Sequence, residues 1–196
     1  MTFRRKLYLA IFALLFTQSE PAGAEPIRIV AFGDSATAGY LVKRQETYPA
    51  QLEAALRAKG YPVIVKNAGV NGNTTKGALR RFDDAIDPDT DIAIVEFGSN
   101  DLRAGVPMTK IKANLAEIVR SLKTRGIASM LVGLGRLDVS DVARAEKIPY
   151  AQWKLPRGKY RARDGAHYNV RGYSILVNRM LPQVEKLIAQ VRGEPR

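Results

Sequence analysis

Cysteine is absent from the 196-residue chain, histidine occurs once, and no apolar run is long enough to cross a bilayer. Without cysteine there is no disulfide, no thiolate nucleophile, no lipid-modified cysteine anchor and no thiolate-based zinc site. Stability must therefore come from a buried core. The N-terminal apolar run, Leu7 to Phe16, covers ten residues, against the ~20 that a spanning helix needs. It follows the basic Arg4-Arg5-Lys6 and precedes Ala22-Gly23-Ala24. Basic start, short apolar run and small-residue site form the pattern of a secretory leader. The reading is an exported protein, periplasmic or secreted, cleaved after Ala24, with one domain over 25–196. No internal repeat, linker or low-complexity tract interrupts that span.

Acidic residues are also scarce, 19 against 31 Lys and Arg, for a net charge of +12. Losing Arg4, Arg5, Lys6 and Glu20 with the leader leaves +10. Such a balance suits attraction to anionic lipid or to an acidic surface polymer, while export argues against a nucleic-acid partner. A basic surface with no specific partner accounts for the charge equally well, so charge alone decides nothing.

What is present is a repeated alternation. IRIVAF (Ile27 to Phe32), YPVIV (Tyr61 to Val65), DIAIVEF (Asp91 to Phe97) and IASMLVG (Ile127 to Gly133) read as strands. Between them lie helical patterns. Tyr48, Leu52, Ala55 and Leu56 precede Gly60, Thr75 to Ile86 contains Gly77, and Ile111, Leu115, Ile118, Val119 and Leu122 precede Gly126. Asp141 to Lys147 fits a short helix, and a long terminal helix follows Asn169, with Pro182 expected to kink or restart it. NAGVNGNTT after the second strand reads as a turn. Alternation at this spacing predicts a three-layer α/β/α sandwich around a parallel, flavodoxin-like sheet of about five strands. In such sheets ligands bind beyond the C-terminal ends of the strands.

Those ends can be read directly. They carry Gly33-Asp34-Ser35, then Asn67 to Asn73, then Gly98-Ser99-Asn100-Asp101, and the loop before the last helix carries Asp164 and His167. Acyl transfer to water needs a hydroxyl made nucleophilic by a base, and a group that orients the base. Ser35 can present Oγ at the rim, His167 is the only imidazole, and Asp164 three residues earlier can reach its Nδ1–H. Asp101 is a competing acid, less favoured because it is not local to His167. For the oxyanion, Ser35 offers its backbone N–H, Gly72 an unobstructed backbone N–H and Asn100 a side-chain amide. Asp34 reads as a structural hydrogen-bonder and Asn67 as a brace for its loop.

The four stretches GDSATAGY, NAGVNGNTT, GSND and DGAH resemble the blocks of the SGNH hydrolases, the GDSL esterases and lipases, and small bacterial periplasmic members above all. The resemblance covers essentially all of the chain after the leader. It implies Ser35 as nucleophile, Asp164 and His167 as its partners, Gly72 and Asn100 completing the oxyanion hole with Ser35, and no metal or organic cofactor. Two positions depart from the family pattern, Ala36 in place of Leu and Tyr168 in place of the Pro often found after the histidine. The span between IASMLVG and DGAH, about thirty residues, is shorter than expected for a wall of the acyl pocket.

The leading expectation is an exported serine esterase acting on short- to medium-chain acyl esters, with thioesterase or lysophospholipase activity as variants. A carbohydrate O-deacetylase or acetyltransferase would use the same residues, and a non-catalytic module for anionic polymers could share the fold. Lys154, Arg157, Lys159, Arg161 and Arg163 precede Asp164. Such a run is either solvated surface or a lure for an anionic ester.

Overall fold

The computed structural model describes residues 25–193, and the leader lies outside the described residues. Five strands, β1 (Ile27–Gly33), β2 (Val63–Gly69), β3 (Ile92–Glu96), β4 (Ala128–Leu134) and β5 (Tyr150–Trp153), form one parallel sheet in the order β2-β1-β3-β4-β5. Because β1 pairs with both β2 and β3, the chain reverses its direction of sheet growth there, and the mouths of β1 and β3 form the switch point where such folds hold ligands.

Alternation along β1 divides the core between two layers. Ile27, Ile29 and Ala31 pack with α2 (Tyr48–Ala58) and α8 (Val170–Val191). Val30 and Phe32 pack instead with α3 (Thr75–Arg80), α4 (Phe82–Ala85), α6 (Met108–Thr124) and α7 (Ser140–Glu146). With α1 (Ser35–Ala38) and α5 (Ser99–Arg103) at the strand ends, this is the expected α/β/α sandwich. Both cores are built from side chains of the described residues.

The edge strand β2 is shielded by its own layer. Glu53 Oε2 accepts from Val65 N–H at 2.7 Å, Arg57 Nε donates to the Val63 carbonyl at 3.0 Å, and Asn67 Oδ1 accepts from Gly69 N–H at 3.0 Å. These side chains occupy backbone groups that another strand could otherwise pair with.

Four local expectations change. Asn67-Ala68-Gly69 is not turn but the end of β2, held by pairing with Ala31, Phe32 and Gly33. The helix over 75–86 is two helices, broken at Arg81 rather than weakened at Gly77, whose N–H is capped by Thr74 Oγ1 at 3.1 Å. The fifth strand, Tyr150–Trp153, lies in a stretch whose pattern suggested no element. Finally, α8 runs unbroken through Pro182. A proline inside a helix costs ~3 kcal/mol. Leu176, Met180, Leu181, Val184, Leu187 and Ile188 are all buried on that helix, each worth roughly 2 kcal/mol, so packing wins.

Candidate active site

The nucleophile elbow is built from a close approach. A Cβ on Gly33 would lie 1.9 Å from Thr37 Oγ1 and 2.8 Å from the Glu96 carbonyl oxygen, so only glycine allows this tight passage from β1 into α1. Asp34 caps the helix, its Oδ1 accepting from Ala36 N–H at 2.9 Å. Ser35 is thereby the first residue of α1, and its Oγ lies 2.8 Å from His167 Nε2.

On the other side of the imidazole, His167 Nδ1 lies 2.5 Å from Asp164 Oδ2. Asp164 Oδ1 also accepts the backbone N–H groups of Ala166 and His167, both at 3.0 Å. The hydrogen bond from the imidazole, helped by these amides, pushes the Asp164 carboxyl down to about 2. The Tyr40 ring leans over the imidazole at 4.9 Å between centroids.

Gly72 and Asn100 border the same place. Gly72 takes a positive φ of 73°, and a Cβ there would meet nothing within 4 Å, so backbone conformation rather than crowding explains glycine. Among the described residues, the backbone N–H groups of Ser35 and Gly72 donate to no protein acceptor. Asn100 is engaged. Its Nδ2 donates to Asp34 Oδ2 at 3.0 Å and to the Asn73 carbonyl at 2.9 Å. Both amide hydrogens are therefore spoken for, and donation to an oxyanion requires sharing or releasing one.

Residues 31–175 match the model of the GDSL-like lipase/acylhydrolase family, and this span takes in Ser35, Gly72, Asn100, Asp164 and His167. The chain belongs to this family. An arylesterase of Vibrio mimicus is 32% identical over 123 residues, which are 62% of this chain and 60% of that protein. The chain thus spans about three-fifths of the length of the curated relatives it matches first. The crystal structure of AlinE4, an SGNH-hydrolase family esterase, is 31% identical with a TM-score of 0.65, over 83% of this chain and 96% of that one. The crystal structure of TesA shares the fold, with a TM-score of 0.74 at 22% identity, over 82% of this chain and 99% of that one.

In this GDSL-family chain the loop bearing Asp164 and His167 is a small braced hairpin. Arg161 and Tyr168 form an antiparallel bridge, and Ala162 N–H donates to the His167 carbonyl at 2.8 Å. Arg161 donates to the carbonyls of Ala166 and Leu155 at 2.8 and 3.1 Å and stacks over Tyr168 at 4.0 Å. Tyr168 is itself buried and donates to the Trp153 carbonyl at 3.0 Å. Arg161 thus clamps the loop from within the run of cations, and Tyr168, the departure from Pro, anchors it in the aromatic core.

Asp101 has other partners. It is buried, with Oδ2 accepting Thr75 N–H at 2.9 Å and Oδ1 accepting Thr75 Oγ1 at 2.6 Å, while Asp164 is the carboxylate on His167. Asp34 does more than cap: its Oδ2 also accepts from Ser99 Oγ at 2.7 Å, tying the elbow to the start of α5, which carries Asn100.

Two residues that sequence reasoning missed stand behind these donors. Arg81 donates from Nε to Asn73 Oδ1 and from Nη2 to the Gly33 carbonyl, both at 3.0 Å, with its guanidinium 4.6 Å from the Phe32 ring centroid. Partial burial lowers its pKa. Glu96, at the end of β3, is fully enclosed, with Oε2 accepting from Thr37 Oγ1 at 3.0 Å and Oε1 unpartnered. Burial first, and then the neighbouring Asp34 charge, raises its carboxyl well above the ordinary range. Their signal was available only as an acid in a buried strand and an arginine at a helix break.

Proposed function

We propose that the chain is an exported serine hydrolase of carboxylic esters, with short- to medium-chain acyl groups, working through an acyl-enzyme. The observation that carries the reading is the continuous contact Ser35 Oγ–His167 Nε2–Asp164, at 2.8 and 2.5 Å. Ser35 Oγ attacks the ester carbonyl carbon while its proton passes to His167 Nε2, and Asp164 holds the imidazole and offsets the positive charge that develops. The carbonyl oxygen, now anionic, accepts from the free N–H groups of Ser35 and Gly72, with Asn100 as third donor once it shares a hydrogen. Collapse of the intermediate breaks the carbon–oxygen bond to the alcohol, which leaves with the proton from His167. Water then repeats the sequence against the acyl-serine, with His167 again as base. The esterase names of the arylesterase and AlinE4 relatives support this reading, as does the leader pattern for export.

The test is hydrolysis of p-nitrophenyl acetate and butyrate by residues 25–196, with Ser35→Ala and His167→Ala beside it. Each variant should lose roughly 10⁴-fold or more in kcat while keeping the wild-type melting temperature. No second imidazole exists to substitute for His167. Full turnover in Ser35→Ala overturns the assignment.

A further inference from the structure

Large apolar side chains left exposed are few among the described residues, and they are not scattered. Tyr40, Val70, Leu102 and Val170 are exposed and stand in segments that leave the C-terminal ends of the strands; only Ile64, on the edge strand, does not. Tyr40 touches the His167 ring, Val70 lies two residues before Gly72, Leu102 two after Asn100, and Val170 three after His167. Single exposed apolar residues need no explanation, but four of five standing on the segments that carry the candidate site do.

Charge follows the same polarity. Exposed Lys43, Arg44, Lys76, Arg157, Lys159 and Arg163 lie on this rim, and none has a carboxylate within ion-pair distance among the described residues. The rim's own carboxylates are occupied. Glu46 Oε2 accepts from Lys43 N–H, Asp138 from Ser140 N–H, Asp141 from Lys112 Nζ, and Asp164 holds His167. Toward the other end of the strands Arg28 pairs with Asp89 at 3.0 Å, Lys66 with Asp87 at 2.7 Å and Arg120 with Glu146 at 2.7 Å, while exposed Lys123, Lys147 and Lys186 stand without such a pair among the described residues. The rim that holds Ser35 thus carries six exposed cations with no carboxylate partner among the described residues.

We propose that the catalytic rim docks onto an anionic lipid surface, the four apolar side chains entering the interface and the surrounding cations meeting headgroup phosphates. An acidic polymer would engage the cations and leave the apolar set idle, whereas a zwitterionic bilayer would leave the cations idle. A lipid surface of negative charge uses both. Docking is peripheral, because no described helix is long and apolar enough to cross a membrane. Resting on the esterase reading above, the same orientation brings an ester-bearing amphiphile to Ser35 where it lies, in the plane of the interface.

Residues 25–196 carrying Ser35→Ala, sedimented with vesicles of pure phosphatidylglycerol or pure phosphatidylcholine, test the docking apart from catalysis. The protein should partition onto phosphatidylglycerol and not phosphatidylcholine. Leu102→Ser with Val170→Ser should weaken that partition on the order of tenfold. Arg44→Glu, Arg157→Glu and Lys159→Glu should each weaken it on the order of fivefold or more. Melting temperatures equal to the parent's confirm that each variant is folded. Equal binding to both lipids, no binding, or phosphatidylglycerol binding untouched by the Leu102 and Val170 changes overturns the proposal, the last outcome marking a polyanion site instead. Since Ser35→Ala lacks the nucleophile, docking and ester hydrolysis can fail independently.

Discussion

Glu96 is a carboxyl with no access to water, one strand-end away from the nucleophile, and its environment favours the protonated form. Its folded pKa is raised, so the stabilisation it contributes is complete below the unfolded carboxyl value, ~4.3, and is lost as pH rises toward the folded one. Glutamine at this position keeps the acceptor for Thr37 and has no proton to lose. Thermal melts at acid, neutral and mildly alkaline pH should therefore show Glu96→Gln gaining on the wild type as pH rises. Parallel curves would mean that Glu96 is ionised in the fold. Asp164 behaves oppositely. Its carboxyl is held down to about 2, so its contribution is present above the ordinary aspartate range and is lost only as pH falls through that low value. Loss of turnover on mild acidification is therefore not a report of Asp164 protonation.

At the level of elements, the site is a meeting of three strand ends and one hairpin, and Arg81 ties two of the strand ends together. Its fork reaches the last carbonyl of β1 and the side chain of Asn73, whose own carbonyl accepts from Asn100. All three proposed oxyanion donors thus sit on segments that this guanidinium braces. Arg81→Met keeps an apolar stem over Phe32 and removes both bonds. Hydrogen bonds to a charged group are worth about 1.5–3 kcal/mol, so kcat should fall about tenfold to a hundredfold with KM within about twofold. Arg81→Lys should recover only part of that loss, since an ammonium cannot make both bonds in the same plane. A rise in KM at unchanged kcat would place Arg81 in substrate binding instead.

At the scale of the molecule, six exposed and unpaired cations share the catalytic rim, and the placement of charge rather than its amount governs steering. Exposed charges see one another over ~30 Å at 0.01 M salt and only ~8 Å at 0.15 M. For a soluble anionic ester, kcat/KM should drop over this range, while a neutral ester of the same acyl chain stays flat. Equal responses would show that the rim's cations do not reach the substrate.

Much of this protein is local in origin and therefore legible along the chain. The Asp164–His167 pair lies within one hairpin, four of the five strands announce themselves by apolar runs, and small polar residues at their ends mark the switch point. Three-residue spacing and strand alternation are backbone-range properties, so sequence by itself determined the fold class and singled out the five candidate residues. Tertiary structure decided the rest, because it depends on groups distant in the chain. Residues 67–69 are strand only because β1 supplies partners; Tyr150–Trp153 is strand only because β4 does. Arg161 was one cation in a run until its partners were three-dimensional neighbours, and Asn100 was an unencumbered donor until Asp34 and Asn73 claimed its hydrogens. That six unpaired cations share one rim is likewise a property of which loops share an end of the sheet. Hydrogen bonds and charge fields act through space, and only folding sets those distances.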